Sequence, residues 1–149
     1  MIINFFKFTE SATIPTKENP TDAGIDIYCN EDFSIYPNGS AVVGTGIGWE
    51  PEISEEDDYL VYAQIKARSG MALNKGIEVS SAGVLDQEYR GDWKLKFINL
   101  TRKKIDIKKG TKVAQAIIHY LPKTEIVEKD VSLIGETTRG TNGFGSSGY

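Results

Sequence analysis

The run Tyr59-Leu60-Val61-Tyr62-Ala63-Gln64-Ile65 decides the fold class. It is short and rich in β-branched and aromatic residues, which reads as a strand. Working outward, runs of the same kind recur at residues 2–8, 25–28, 41–49, 93–100 and 113–121. The stretches between them carry turn chemistry, including Pro37-Asn38-Gly39, Lys109-Gly110 and Gly135. Many short strands at this spacing predict an all-β sandwich or barrel. The exception is Ser69 to Asn74, where Met71, Ala72 and Leu73 precede Gly76. One or two helical turns are predicted there, with Gly76 as the stop.

The 149 residues suit one domain, and 40% hydrophobic against 26% charged residues excludes a disordered chain. A formal net charge of −4 is the wrong sign for a binder of polymeric nucleic acid. Cys29 has no partner for an internal disulfide, and with His119 as the sole histidine no structural zinc cluster can form. A reducing, cytoplasmic compartment is expected. The first residues lack a basic flank or long apolar segment, and no stretch approaches the roughly 20 apolar residues that span a bilayer. Neither secretion nor a membrane partner is expected, so Asn38 and Asn99 carry no weight as glycosylation acceptors.

Six acidic residues, Glu50, Glu52, Glu55, Glu56, Asp57 and Asp58, fall within one short segment. They lack the ligand alternation and central glycine of a calcium loop and read as a solvated loop. Residues 139–149 differ in character: Gly140, Gly143, Gly145 and Gly148 surround a single aromatic, Phe144. Such a segment holds no regular element unaided. The chain is therefore divided into a domain of residues 1–138 and a flexible tail of residues 139–149.

Three segments combine groups able to do chemistry. In Gly83-Val84-Leu85-Asp86-Gln87-Glu88-Tyr89-Arg90-Gly91 a carboxylate follows an apolar strand into a tight turn. Asp86 there is either a general base or, taken alone, the cap of a hairpin turn. Ala67-Arg68-Ser69-Gly70 offers a guanidinium, a hydroxyl and backbone N–H groups suited to phosphate. Its alternative is a Ser N-cap beside a surface arginine. In the tail, Arg139, Ser146 and Ser147 lie close to Phe144, a set able to close over a nucleotide's phosphates and base. Gly44-Thr45-Gly46-Ile47-Gly48 lacks the spacing of a dinucleotide fingerprint. A Cys29–His119 nucleophile pair has no support beyond the presence of both residue types.

Taken in order, these segments resemble the five motifs of the trimeric dUTPase family. The first is Asp22-Ala23-Gly24-Ile25-Asp26-Ile27 and the second Ala67-Arg68-Ser69-Gly70-Met71-Ala72. The third runs from Gly83 to Gly91, followed by Asn99 at the family's spacing. The fourth is Gly110-Thr111-Lys112-Val113-Ala114-Gln115-Ala116-Ile117-Ile118, and the fifth is the glycine-rich tail. Departures from the pattern are Ile25 for an aromatic, Ala67 for Pro, Glu88 for Asp, Asn142 for Gly and Ser147 for Thr.

The resemblance implies a jelly-roll-like, distorted β-barrel protomer in a homotrimer, with each active site shared between chains and capped by a neighbour's tail. It implies hydrolysis of dUTP to dUMP and pyrophosphate, keeping uracil out of DNA and supplying dUMP for dTTP synthesis. Asp86 would be the base that activates water against the α-phosphorus. Asp26 would support Mg2+ through water. Arg68, Ser69, Gly70, Gln115, Arg139, Ser146 and Ser147 would hold phosphates, and Gly83, Leu85, Tyr89 and Phe144 would receive uracil and deoxyribose. Alternatives within reach of the same fold are a dCTP deaminase-type enzyme and a module binding a regulatory protein, for which the acidic loop at residues 50–58 is the only candidate surface.

Overall fold

The computed structural model describes residues 1–80 and 83–142. Among the described residues eleven strands appear, in the order β1 (Ile3–Lys7), β2 (Gly24–Tyr28), β3 (Phe33–Ile35), β4 (Ser40–Gly44), β5 (Ile47–Pro51), β6 (Tyr59–Ala67), β7 (Ile77–Val79), β8 (Val84–Asp86), β9 (Lys94–Asn99), β10 (Ile105–Ile107) and β11 (Lys112–Pro122). They pair antiparallel throughout, as β1–β5, β3–β10, β4–β9–β7 and the four-stranded β2–β11–β6–β8. The all-β class expected from the strand runs, and the jelly-roll-like architecture implied by the resemblance, are what is observed. Among the described residues no helix is long and apolar enough to cross a membrane.

Alternation explains how the sheets close on one core. Along β6, Val61, Ala63 and Ile65 are buried while Leu60 and Lys66 are exposed and Tyr62 and Gln64 lie between. Period 2 therefore sends every other side chain inward. The inward set meets Trp49, Trp93 and Phe97, all with 1% exposure or less. Trp93 packs edge-on against both Trp49 and Phe5, with ring centroids 5.7 Å away in each pair. Fully burying side chains of this size is worth about 1.5–3 kcal/mol each.

Two strand boundaries differ from the sequence expectation. The run at 41–49 is two strands, because Gly46 adopts φ 71° and turns the chain between β4 and β5. The three-residue strands β3, β7 and β10 escape the reading of long apolar runs because each is short and interrupted by a polar residue. The helical segment is a single wide turn, Gly70–Asn74, anchored by buried Met71 and followed by Gly76 at φ 64°. That positive φ is why glycine stands there.

The described strands end well before residue 138. The last barrel strand ends at Pro122, and every residue from 123 to 142 is exposed. Ile126, Val127, Val131, Leu133 and Ile134 belong to this extended arm rather than to the barrel.

Candidate active site

The site grows from the outward face of the β2–β11–β6–β8 sheet. Asp26 on β2 stands opposite Gln115 on β11, which stands opposite Lys66 on β6. The register slips between Lys112 and Ala114, where Val113 and Ala114 are buried in succession. A bulge of this kind reverses side-chain parity. It lets Lys112 and Gln115, three positions apart, both reach the side of the sheet that Asp26 occupies.

Asp26 is buried, and each of its oxygens meets a cation. Arg68 Nε donates to Oδ1 at 2.8 Å, and Lys112 Nζ to Oδ2 at 2.9 Å. Lys112 also pairs with Glu18 at 3.0 Å. Hydrogen bonds to Asp26 and then Glu18 hold the Lys112 ammonium well above the ordinary lysine range. A hollow of about 340 Å³ opens beside this cluster, lined by Glu18, Asp22, Asp26, Arg68, Ser69 and Gln115, with Ala23 and Gly24 completing its wall. At Gly24 a Cβ would displace the Gln115 side chain from its present position. Gln115 Nε2 donates to the Ala67 carbonyl at 3.1 Å, which fixes the amide at the hollow's edge.

Arg68 and Ser69 lie where β6 ends and the helical turn begins. The Arg68 carbonyl accepts from the N–H groups of Met71 and Ala72. Ser69 is in the right-handed helical region, with φ −52°, and its side chain makes no capping bond. Ser69 occupies the N-cap position without a side-chain cap bond, and the half-exposed Arg68 is tied to a buried carboxylate. Gly70 has open space where a Cβ would sit.

The second half of the site is the hairpin. Gly83 is buried with its carbonyl accepting from Ile65 N–H at 2.7 Å, and a Cβ there would press on Ile65. Leu85 packs against the core, while Asp86, the last residue of β8, is exposed. The turn is closed by the main chain, Tyr89 N–H to Asp86 O at 3.1 Å. Among the described residues the Asp86 carboxylate accepts no hydrogen bond, so the turn-cap reading of this residue fails. Tyr89 lies over Gly91, where any Cβ would strike its ring, and its hydroxyl donates to the Asp92 carbonyl at 3.2 Å. A hollow of about 720 Å³ spreads in front of Asp86, lined also by Leu60, Tyr62, Val84, Tyr89 and Leu121.

One chain does not bring the two halves together. From the Asp26–Gln115–Lys66 row to the Tyr62–Asp86 pair the step is four residues along β6 and three strand gaps across the sheet. At about 3.3 Å per residue and 4.8 Å per strand, Asp26 and Asp86 lie on the order of 20 Å apart. Arg139, on the arm, makes a local turn in which its Nε donates to the Asn142 carbonyl at 2.9 Å. Phe144, Ser146 and Ser147 lie outside the described residues. Cys29 and His119 do not meet: Cys29 donates to the Lys108 carbonyl, while His119 stacks on Tyr62 at 4.8 Å.

The residues that sequence reasoning passed over are Lys112 and Glu18. The signal for Lys112 was the adjacent pair Val113-Ala114, two consecutive core residues that break strand alternation. Glu18, in an irregular segment far from Lys112 in the chain, left no comparable signal.

The dUTPase family model matches residues 10–148. This chain belongs to the dUTPase family. The deoxyuridine 5'-triphosphate nucleotidohydrolase of Nautilia profundicola is 36% identical over 149 residues, covering 99% of both chains. That of Wolinella succinogenes is 38% identical over 149 residues, 99% of this chain and 95% of its own. That of Saccharomyces cerevisiae is 38% identical over 139 residues, 93% of this chain and 88% of its own. The dUTPase of Staphylococcus bacteriophage 80alpha, solved with dUpNHpp, shares the fold at a TM-score of 0.80 and 23% identity, covering 99% of both chains. A variant dUTPase of phage phi11 of S. aureus, solved with attention to a structural Mg(II) ion, shares it at a TM-score of 0.74 and 21% identity, covering 91% of this chain and all of that one.

Proposed function

We propose that this member of the dUTPase family hydrolyses dUTP to dUMP and pyrophosphate, using Asp86 as the base and a phosphate clamp built around Asp26 and Arg68. The observation that carries the reading is the exposed Asp86 carboxylate, which accepts no hydrogen bond among the described residues and stands in front of an open hollow at the end of β8. A general base needs an accessible oxygen that can take a proton from water, and a positioned one contributes about 10²–10⁴-fold.

The base acts on one nucleotide together with the clamp only if two chains supply them, because reacting groups must come within about 3–3.5 Å. A homotrimer in which Asp86 of one protomer faces the Asp26 hollow of its neighbour satisfies this. The sheet face between the two hollows is suited to burial: Leu60, Val84 and Leu121 are exposed, and Tyr62 and His119 stack beside them. The arm supports the same reading, since residues 123–138 drawn out could span about 50 Å and carry Arg139 to another protomer's site. The tail residues Phe144, Ser146 and Ser147 would then cover the base and the phosphates.

In the clamp, Arg68 is oriented through Nε by Asp26, and its two terminal nitrogens carry no bond among the described residues, leaving a fork suited to phosphate oxygens. Ser69 and the N–H of Gly70 complete the phosphate-facing rim, with Gln115 at its edge. Among the described residues no three carboxylate, His or Cys groups are arranged to cage a metal. The Asp22 and Asp26 carboxylates in the wall of the hollow are hard oxygen donors that suit Mg2+ held chiefly by the triphosphate and water, as outer acceptors. The ion would supply charge neutralisation on the phosphates. Tyr89, stacked over its own turn, would meet the deoxyribose face and exclude a 2′-hydroxyl, while the main chain near Gly83 and Leu85 reads the uracil edge.

The test is incubation of the purified chain with Mg2+ and dUTP, dTTP, dCTP or UTP, following nucleotides by chromatography. Conversion of dUTP alone to dUMP and pyrophosphate is expected. Deamination of dCTP without action on dUTP would overturn the reading.

A further inference from the structure

We infer that Gln87 and Trp49 are positioning residues for Asp86, holding its main chain so that its carboxylate is left to the reaction. The inference deepens the functional reading above and rests on it. Ile65 N–H donates to the Gly83 carbonyl, so the hydrogen-bonded antiparallel pairs of β6 and β8 fall at 65/83, 63/85 and, two residues on, 61/87. At the third pair Val61 N–H would ordinarily meet the main-chain carbonyl of Gln87. It meets the side chain instead, with Gln87 Oε1 accepting at 3.0 Å. The displaced main-chain carbonyl turns away and accepts from Arg90 Nη1.

The substitution has a clear physical consequence. Val61 is 2% exposed, and a buried N–H without a partner is destabilising. Gln87 satisfies that donor with its side chain while its backbone leaves the strand, so the chain turns directly after Asp86. From the core side, Trp49 Nε1 donates to the Asp86 carbonyl at 3.2 Å, and Trp49 has no exposed surface. Glu50, the next residue of β5, pairs with Arg90 at 3.3 Å, so the same strand grips both ends of the turn. None of these bonds uses the Asp86 carboxylate. Without them Asp86 would end a three-residue strand paired on one side only. A displacement of about 1 Å at a reacting group can cost on the order of 10²-fold in rate.

The test compares steady-state kinetics on dUTP at pH 8 for the wild type, Gln87→Leu, Gln87→Glu, Trp49→Phe and Asp86→Asn, with melting temperatures alongside. Gln87→Leu and Trp49→Phe are expected to lower kcat about tenfold or more with KM changed less than about threefold. Gln87→Glu keeps an oxygen for Val61 N–H and is expected to stay within about threefold of wild type. A Gln87→Leu enzyme with wild-type kcat, a loss carried by KM alone, or a Gln87→Glu enzyme as impaired as Gln87→Leu would overturn the inference. Should Trp49→Phe fail to fold, the two Gln87 variants decide by themselves. Wild-type turnover in Asp86→Asn would instead remove the base assignment, a result distinguishable from any behaviour of the Gln87 pair.

Discussion

Arg68 approaches the buried carboxylate of Asp26 through Nε, at 2.8 Å, so the guanidinium is gripped at its inner nitrogen and presents its outer two. Lysine has one nitrogen and cannot do both. Arg68→Lys is therefore expected to lower kcat/KM for dUTP at least about tenfold while leaving the melting temperature within a few degrees of wild type. Kinetics and a thermal melt check this. An unchanged kcat/KM would take Arg68 out of the phosphate clamp.

Among the described residues Asp86 has no structural bond to lose through its side chain, so Asp86→Asn should fold normally. Its kcat is expected to fall by at least about 10²-fold, with nucleotide affinity nearly unchanged. Calorimetric binding of a non-hydrolysable dUTP analogue, set beside the rate of dUMP release, separates the two effects. Near wild-type turnover would assign the base elsewhere.

Deleting residues 139–149 removes no described contact with the barrel, whose strands end at Pro122. Turnover should collapse while the melting temperature stays within about 2 °C of the full chain, since the described part of the segment, residues 139–142, is exposed. A large fall in melting temperature would show that the segment is structural.

Cys29 is 2% exposed, and burial pushes its thiol above the ordinary value. A raised folded value means that the neutral thiol is favoured in the native state. Its stabilising contribution is complete below the unfolded pKa of about 8.5 and is lost as pH rises through the folded value. Native protein at pH 8 should react slowly with a disulfide reagent and fully only after denaturation. Between pH 8.5 and 10, Cys29→Ala should lose less stability than wild type. Rapid labelling of the native protein would contradict the burial.

Much of the fold was legible because its signals are local. The run at residues 59–65 reads as a strand from its own composition, and Gly76 reads as a stop because only its neighbours matter. Arg68 and Asp86 stood out in their own segments as groups able to do chemistry, beside structural alternatives, while Asp26 entered only through the resemblance to the dUTPase family. The exposure of Ile126, Val127 and Ile134 beyond Pro122 was not legible in the same way. Burial depends on what packs against a segment, and no local pattern records that.

The order of residues alone determined the strand-rich class and the groups available for reaction, since both follow from side-chain type and short-range spacing. Tertiary structure alone decided how those groups are used. The bulge at Val113 swings Lys112 onto Asp26, the Gln87 side chain replaces its own carbonyl at the end of β8, and the sheet holds Asp86 far from Asp26. Each is a matter of register between strands distant in the chain, and register is set by pairing, which no single segment contains.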